Sequence, residues 1–293
     1  MALINLFHCI RLNLLYIENQ EKSFYFELKK IMKSRIYQVD AFTEKLFSGN
    51  PAAVCPLDKW TSEEIMQNIA SENNLAETAF YVKNTDTFEI RWFTPTVEVD
   101  LCGHATLATS YVIFNYENYS NDIINFISPK SGKLSVQKQN DLLTLNFPTD
   151  EINRVSLSDD ILKCFDVKPT EAYKGRTDLL LVFENEDMIK NIRPDFESIL
   201  KLDARGVIVT AKGSQSDFVS RFFGPQCGIN EDPVTGSAHT SLTPYWAKRL
   251  NKNELTAVQL SKRQGFLKCR YLNDRIAISG KCKLYLLGEI FLD

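Results

Sequence analysis

Two stretches about half a protein apart hold the side chains best suited to chemistry, in a repeated arrangement. One is Leu101-Cys102-Gly103-His104-Ala105-Thr106-Leu107. The other is Glu231-Asp232-Pro233-Val234-Thr235-Gly236-Ser237-Ala238-His239-Thr240. Each sets a glycine and a histidine between a strand-like run and a helix-like run. A helix starting at such a point leaves its first N–H groups unpaired and turns the positive end of its dipole outward, a combination that holds anions. Apart from His8 near the chain start, His104 and His239 are the only histidines. Imidazole changes charge near neutral pH, so the paired stretches read as a place to bind a small anion and move a proton.

A carboxylate that shares this work stands in Ala76-Glu77-Thr78-Ala79-Phe80. Its apolar neighbours Leu75, Ala79 and Phe80 offer a desolvating setting of the kind that suits a carboxylate to exchange a proton with carbon. Taken locally, Glu77 reads as a surface glutamate at a strand end, Asp232-Pro233 as a turn and Ser237 as a helix cap. The helix dipole at His104 favours a neutral imidazole, able to hydrogen-bond a substrate or relay a proton.

The elements that must position these groups follow from periodicity and punctuation. Residues 35–42 alternate as a half-buried strand, and Gly49-Asn50-Pro51 turns into a second. Thr61 and Glu64 form a capping-box pattern for a helix running to about 73. Strands follow at 77–82 and 88–93. The stretch from 103 to about 115 is apolar on nearly every side, which marks a buried helix. Strands at 123–127, 133–138 and 142–147 close this half at Pro148-Thr149-Asp150.

The second half repeats the plan. Helices are expected at 158–165 and 187–191, the latter interrupted by Pro194, with strands at 179–183, 206–210 and 218–224. A helix at 237–250 precedes strands at 255–260, 265–270, 275–279 and 283–292. The same order occurring twice points to duplication.

With 293 residues, 44% hydrophobic and 24% charged, the chain has the make-up of a globular protein of two domains. A net charge of −3 without a basic block gives no reason to expect a nucleic-acid partner. No apolar run approaches the ~20 residues of a membrane helix. Seven scattered cysteines without a C-x-x-C pair suit reduced thiols in a cytoplasmic protein rather than zinc or redox chemistry. Residues 1–17 are apolar but carry Arg11 and lead to no small-residue cleavage site, so secretion is rejected. Met32 opens a clean strand, and residues 1–31 read as an extension outside the fold.

The blocks Gly49 to Val54, Ala76 to Phe80, Arg91-Trp92-Phe93-Thr94-Pro95 with Glu98 to Thr106, and Glu231 to His239 together resemble the PhzF family of phenazine biosynthesis-like isomerases, which have the diaminopimelate epimerase-like fold. The resemblance runs from about residue 33 to the C-terminus. It implies an α+β protein of two similar pseudo-symmetric lobes, each a curved mixed β-sheet around a central helix. The lobes would be 32–148 and 149–293, with the last strand a candidate to return to the first. It also implies a homodimer, a site in the cleft between the lobes, and no metal, flavin or pyridoxal cofactor.

On the matching positions the resemblance assigns Glu77 as general acid/base, with His104 and Asp232 assisting. Ser237 and the N–H groups at Gly103 and Gly236 would bind a substrate carboxylate, Asn50 would shape the pocket, and His239 would lend support from behind. Related racemases of this fold use one cysteine from each half. Here Cys102 precedes Gly103-His104 and the second helix start has none, while Cys227 lies ten residues before Ser237. Cys102 is therefore expected to be a buried, inert thiol. Gln264-Gly265 and Thr240 depart from the family pattern at positions that tune packing. The expected function is a cofactor-independent isomerase of a small carboxylate-bearing metabolite. The alternatives are an amino-acid-type epimerase or racemase, and a non-catalytic binding protein on the same scaffold.

Overall fold

The computed structural model describes residues 32–292. The reading of 1–31 as an extension lies outside the described residues. The described residues divide into a unit of residues 36–287 and a second unit whose described part is residues 32–35 and 288–292. In the described part of the second unit, Lys33 lies 3.7 Å from Glu289 and sits over the ring of Phe291.

The first lobe begins with β1 (Met32–Ala41) antiparallel to β2 (Asn50–Leu57). Gly49, just before β2, has φ of +68°, and a side chain there would meet the carbonyl of Ala41. Glycine is therefore required at this turn. Helix α1 (Glu63–Asn73) crosses over to β3 (Glu77–Lys83), which lies parallel to β2. Its cap is Ser62, whose hydroxyl accepts from Ile65 N, rather than the expected Thr61, and left-handed Asn74 ends it.

β4 (Phe88–Phe93) runs antiparallel to β3, and the short β5 (Glu98–Val99) leads into α2 (Gly103–Tyr116). β6 (Ile123–Ser128) then returns parallel to β4, and β7 (Gly132–Gln139) and β8 (Leu142–Pro148) complete a meander.

The second lobe repeats these pairings. β9 (Asn153–Val155) and α3 (Asp159–Leu162) precede β10 (Glu171–Lys174), which is antiparallel to β11 (Leu179–Val182). Two short helices, α4 (Glu186–Asn191) and α5 (Phe196–Leu200), cross to β12 (Val207–Lys212), parallel to β11. Then β13 (Phe218–Gly224), β14 (Ile229–Asp232), α6 (His239–Leu250), β15 (Glu254–Gln259), β16 (Gly265–Tyr271) and β17 (Arg275–Gly280) follow the order of β4 to β8. Both lobes thus run antiparallel, parallel, antiparallel, parallel, then a two-step antiparallel meander. The last meander strands, β8 and β17, pair with each other and join the two lobes in one sheet, while β18 (Cys282–Leu292) pairs with β1.

The two long helices fill the lobes. α2 is buried from His104 to Ser110 and again at Val112–Phe114. Its hydroxyls would be costly there, but Thr106, Thr109 and Ser110 donate to the carbonyls of Cys102, Ala105 and Thr106 at 2.6 to 2.8 Å. α6 contains Pro244, which cannot donate to the carbonyl of Thr240. The backbone N–H of Asp150, from the segment joining the lobes, donates to that carbonyl instead, and the Asp150 carboxylate accepts from Ser241 Oγ at 2.8 Å. No helix among the described residues is long and apolar enough to cross a membrane.

Candidate active site

β3 opens on Glu77, α2 opens on Gly103-His104, and β2 opens on Asn50, so three of the expected residues stand at element ends. They converge. His104 Nε2 lies 3.2 Å from Glu77 Oε2, while Asn50 Nδ2 lies 3.2 Å from His104 Nδ1. Cys102 Sγ is 3.5 Å from the same Nδ1. From the second lobe Asp232 joins them: Asn50 Nδ2 donates to its Oδ1 at 2.8 Å and to the carbonyl of Val234 at 2.9 Å.

The contact between Glu77 and His104 has ion-pair distance but not hydrogen-bond alignment, so Glu77 Oε2 and His104 Nε2 are both buried without a hydrogen-bond partner. Asn50 Oδ1 is likewise unpartnered. Buried polar atoms are almost always satisfied, so three exceptions gathered in one place single this cluster out.

Charge is unevenly distributed here. Burial pushes the Asp232 carboxyl up to about 6, and Glu77 adds to this against the opposing pull of His104, Thr235 and Asn50. Burial also raises Cys102, aided by Glu77, so the thiol stays protonated at neutral pH. For His104 burial disfavours charge, but Cys102 and the Glu77 carboxylate outweigh it and hold the imidazole well above its usual value. The helix dipole had argued for a neutral ring. A carboxylate in contact with Nε2 overrides it because the dipole acts as only about half a charge.

Glycines 103 and 236 face each other. A β-carbon built on either would stand 3.9 Å from the other's Cα. The start of α2 and the turn leading into α6 therefore meet closely enough for their N–H groups to address one anion. The turn before α6 is tighter than a simple helix start: His239, Thr240 and Ser241 donate three residues back to Gly236, Ser237 and Ala238, and the regular helix begins at His239 rather than at the expected Ser237.

Ser237 accepts a hydrogen bond from Arg205 Nη2 at 3.0 Å. His239 points elsewhere. It is fully buried, its Nδ1 meets the carbonyl of Thr235 at 2.9 Å, its ring tilts against Phe218, and burial lowers it to about 4. It braces the Thr235 turn as a neutral ring.

Three residues that sequence reasoning passed over also matter. Gln259 bridges the Asp232–Thr235 turn, with Oε1 accepting from Thr235 N and Nε2 donating to Asp232 O, both at 2.8 Å. Arg205 reaches Ser237, and buried Asp178 grips Arg205. None lies in a local motif. They are brought in by strand neighbours far away in sequence.

Glu77, Cys102 and His104 present metal-ligand atoms within 4.8 Å of one another. However, Cys102 faces Nδ1 and Glu77 faces Nε2, on opposite edges of the imidazole. A metal ion lies along one ring nitrogen's lone pair, so this arrangement suits proton relay better than coordination.

The family model for phenazine biosynthesis-like proteins, PhzC-PhzF, matches residues 39–286. An uncharacterized isomerase of Pseudomonas aeruginosa is 48% identical over 261 residues, covering 89% of this chain and 100% of that protein. A crystal structure of a PhzF-family phenazine biosynthesis protein from Enterococcus faecalis is 49% identical, with a TM-score of 0.87 over 89% of this chain and 100% of that one. A hydroxyproline epimerase from Agrobacterium vitis, 8% identical with a TM-score of 0.56 over 89% of this chain and 93% of that one, shares the fold alone. The expected diaminopimelate epimerase-like architecture of two similar lobes is thus the one observed, and the chain belongs to the phenazine biosynthesis-like (PhzF) family, some of whose curated relatives are named uncharacterized isomerases.

Proposed function

We propose that this protein is an isomerase that moves a proton within a small carboxylate-bearing metabolite, using its side chains alone. In this reading the lobes run 32–148 and 149–293, and the reaction takes place in the cleft between them. Glu77 takes a proton from carbon beside an unsaturated or carbonyl-like group. The same carboxyl, assisted by His104 and Asp232, returns it to a different carbon. The N–H groups at Gly103 and Gly236, with Ser237, hold the substrate carboxylate and steady the charge that builds up. A homodimer in the cytoplasm belongs to the same reading.

The observation that carries it is the pair of buried, unpartnered atoms Glu77 Oε2 and His104 Nε2, 3.2 Å apart. The test is proton exchange. In deuterated water, NMR of a bound carboxylic acid should show label entering at the new carbon, and Glu77→Gln should abolish this while binding persists. Label appearing only at the α-carbon would favour an epimerase. Binding without any exchange in the wild-type protein would favour a non-catalytic role.

A further inference from the structure

The repeated topology allows the two lobes to be superposed residue by residue from strand register. In the first lobe Phe88 pairs with Lys83 and Phe93 with Thr78. In the second Phe218 pairs with Lys212 and Phe223 with Val207. Phe88 also begins the parallel pairing with β6, as Phe218 does with β15. Thr78 and Val207 are therefore counterparts, which makes Gly206 the counterpart of Glu77 and Arg205 that of Ala76. Gly103 and Gly236, meeting across the join, are counterparts too, so His104 corresponds to Ser237.

The second lobe has lost the carboxylate and cannot regain one in place, because a β-carbon at Gly206 would run into the Phe222 ring and the Phe223 carbonyl. One residue earlier it offers a guanidinium. Arg205 Nη2 bonds Ser237 Oγ at 3.0 Å, where the first lobe has Glu77 against His104 at 3.2 Å. Within one residue of register, the corresponding strand-entry and helix-start segments thus carry a carboxylate–imidazole pair in one lobe and a cation–hydroxyl pair in the other.

Arg205 is held firmly. Its Nε donates to Asp178 Oδ1 at 2.9 Å and its Nη2 to Oδ2, and the guanidinium lies over the Phe222 ring at 5.3 Å. Asp178 is only 4% exposed. Burial works against the charge on Arg205, but Asp178, with help from Asp232, keeps it above its ordinary range. Nη1 takes no hydrogen-bond partner among the described residues. Because Ser237 Oγ accepts from Arg205, its own hydrogen is free to donate elsewhere. One Nη1 hydrogen and the Ser237 hydroxyl hydrogen form a two-point receptor next to the start of α6.

We propose that Arg205 is a substrate-binding residue, and that Arg205 and Ser237 join the N–H groups at Gly103 and Gly236 in holding the two oxygens of the substrate's carboxylate, so that the second lobe supplies the cation while the first moves the proton. The assignment rests on the proton-transfer reading above for the roles of the lobes. It commits the substrate to a carboxylate and excludes a neutral amide or alcohol in the same position.

The test measures binding in a Glu77→Gln background, where turnover plays no part. Calorimetric titrations use benzoate, cyclohex-1-ene-1-carboxylate and L-proline, each beside its carboxamide. At least one acid should bind, and its amide should bind at least tenfold more weakly. Adding Arg205→Lys, which keeps the charge but loses the fork, should weaken that acid by about 10- to 100-fold and leave the amide within about twofold.

Since truncating Arg205 would strand a buried carboxylate, the companion variant is Asp178→Asn with Arg205→Gln, which removes both charges and should show the same selective loss. A merely structural role would weaken acid and amide alike. That result overturns the assignment, as does unchanged acid binding in both variants or failure of all the acids to bind. The functional reading fails separately, if Glu77→Gln retains proton exchange.

Discussion

Asn50 of the first lobe donates to Asp232 Oδ1 of the second at 2.8 Å, and its other amide hydrogen goes to the carbonyl of Val234 at 2.9 Å. Both acceptors would repel the amide oxygen, so the orientation of the Asn50 side chain is determined by this network. The same Nδ2 faces His104 Nδ1 at 3.2 Å, beside the thiol of Cys102. With both Asn50 hydrogens taken, the Cys102 thiol is the donor on that edge of the ring, and it favours Nδ1 as acceptor in the neutral tautomer. The proton is then on Nε2, the edge that Glu77 faces.

His104 should therefore owe its raised pKa to Glu77. Cys102 also raises it, but a thiol that remains protonated carries no charge. Replacing Glu77 with glutamine leaves burial, which favours the neutral ring, as the main influence. NMR titration of the imidazole is expected to show the His104 pKa falling from above its usual value to near or below it. Cys102→Ser should change it far less. If the glutamine variant titrates like wild type, Glu77 is not the group that sustains the proton.

A second join between the lobes involves Arg263. It donates to Asp40 Oδ1 at 2.7 Å, to Gly49 O at 2.9 Å and to Ser48 O at 3.1 Å, directly before Asn50. Asp40 is 2% exposed, and burial raises its pKa even with Arg263 in contact. Arg263→Ala strands that carboxylate and is expected to cost about 3 kcal/mol in urea unfolding. Asp40→Asn in the same chain should recover part of the loss. Equal losses in the single and double variants would show that the pairing contributes nothing.

How far the sequence could be read varies with how local the signal is. The helix at Gly103 was legible because apolar residues surround it, and buried α2 has no polar side to betray it. Asn50, His104 and Asp232 stand beside glycine or proline at element ends, but Glu77 has no such marker and reads locally as a surface glutamate, so only the resemblance to the family drew the four into one site. Arg205 and Asp178 were not legible. They lie 32 and 59 residues from Ser237, and only the β11–β12 pairing brings them together. Ser62 displaced Thr61 as a cap because either hydroxyl satisfies the composition, and only backbone geometry chooses between them. The protonation of His104 also escaped, since the dipole is readable from sequence and the Glu77 contact is not.

Asp232 makes a prediction whose sign can be worked through. Its folded pKa of about 6 lies above the 3.8 of an ordinary aspartate. The folded protein thus binds this proton more tightly than the unfolded chain does. The resulting stabilisation is complete below the unfolded value of about 3.9 and is lost as pH rises through about 6. Asp232→Asn cannot titrate and keeps much of the hydrogen-bonding shape. The unfolding free energy of wild type minus that of the variant should fall between about pH 4 and pH 6 and level off above. Urea titrations across that range decide the matter, and a difference that stays flat or rises would mean that the carboxyl is not held protonated by the fold.

Gly103 and Gly236 separate function from stability most cleanly. A methyl group at Gly103 would meet the Phe147 ring at 3.5 Å and Gly236 Cα at 3.9 Å, and one at Gly236 would meet Gly103 Cα at 3.9 Å, all ordinary contact distances. Neither glycine has a positive φ, so alanine is not strained at either site. At Gly103, the first residue of α2, alanine also favours the helical turn over glycine by up to about 1 kcal/mol. Either Gly→Ala variant should therefore unfold within about 1 kcal/mol of wild type. Yet the methyl groups would occupy the gap between two helix starts whose N–H groups are to hold the carboxylate. Binding of small carboxylic acids by calorimetry should drop by about tenfold or more in each variant. Full binding in both would place the anion elsewhere and leave the facing glycines as a packing feature. A large loss of stability would instead show that the two helix starts have no room for even one carbon.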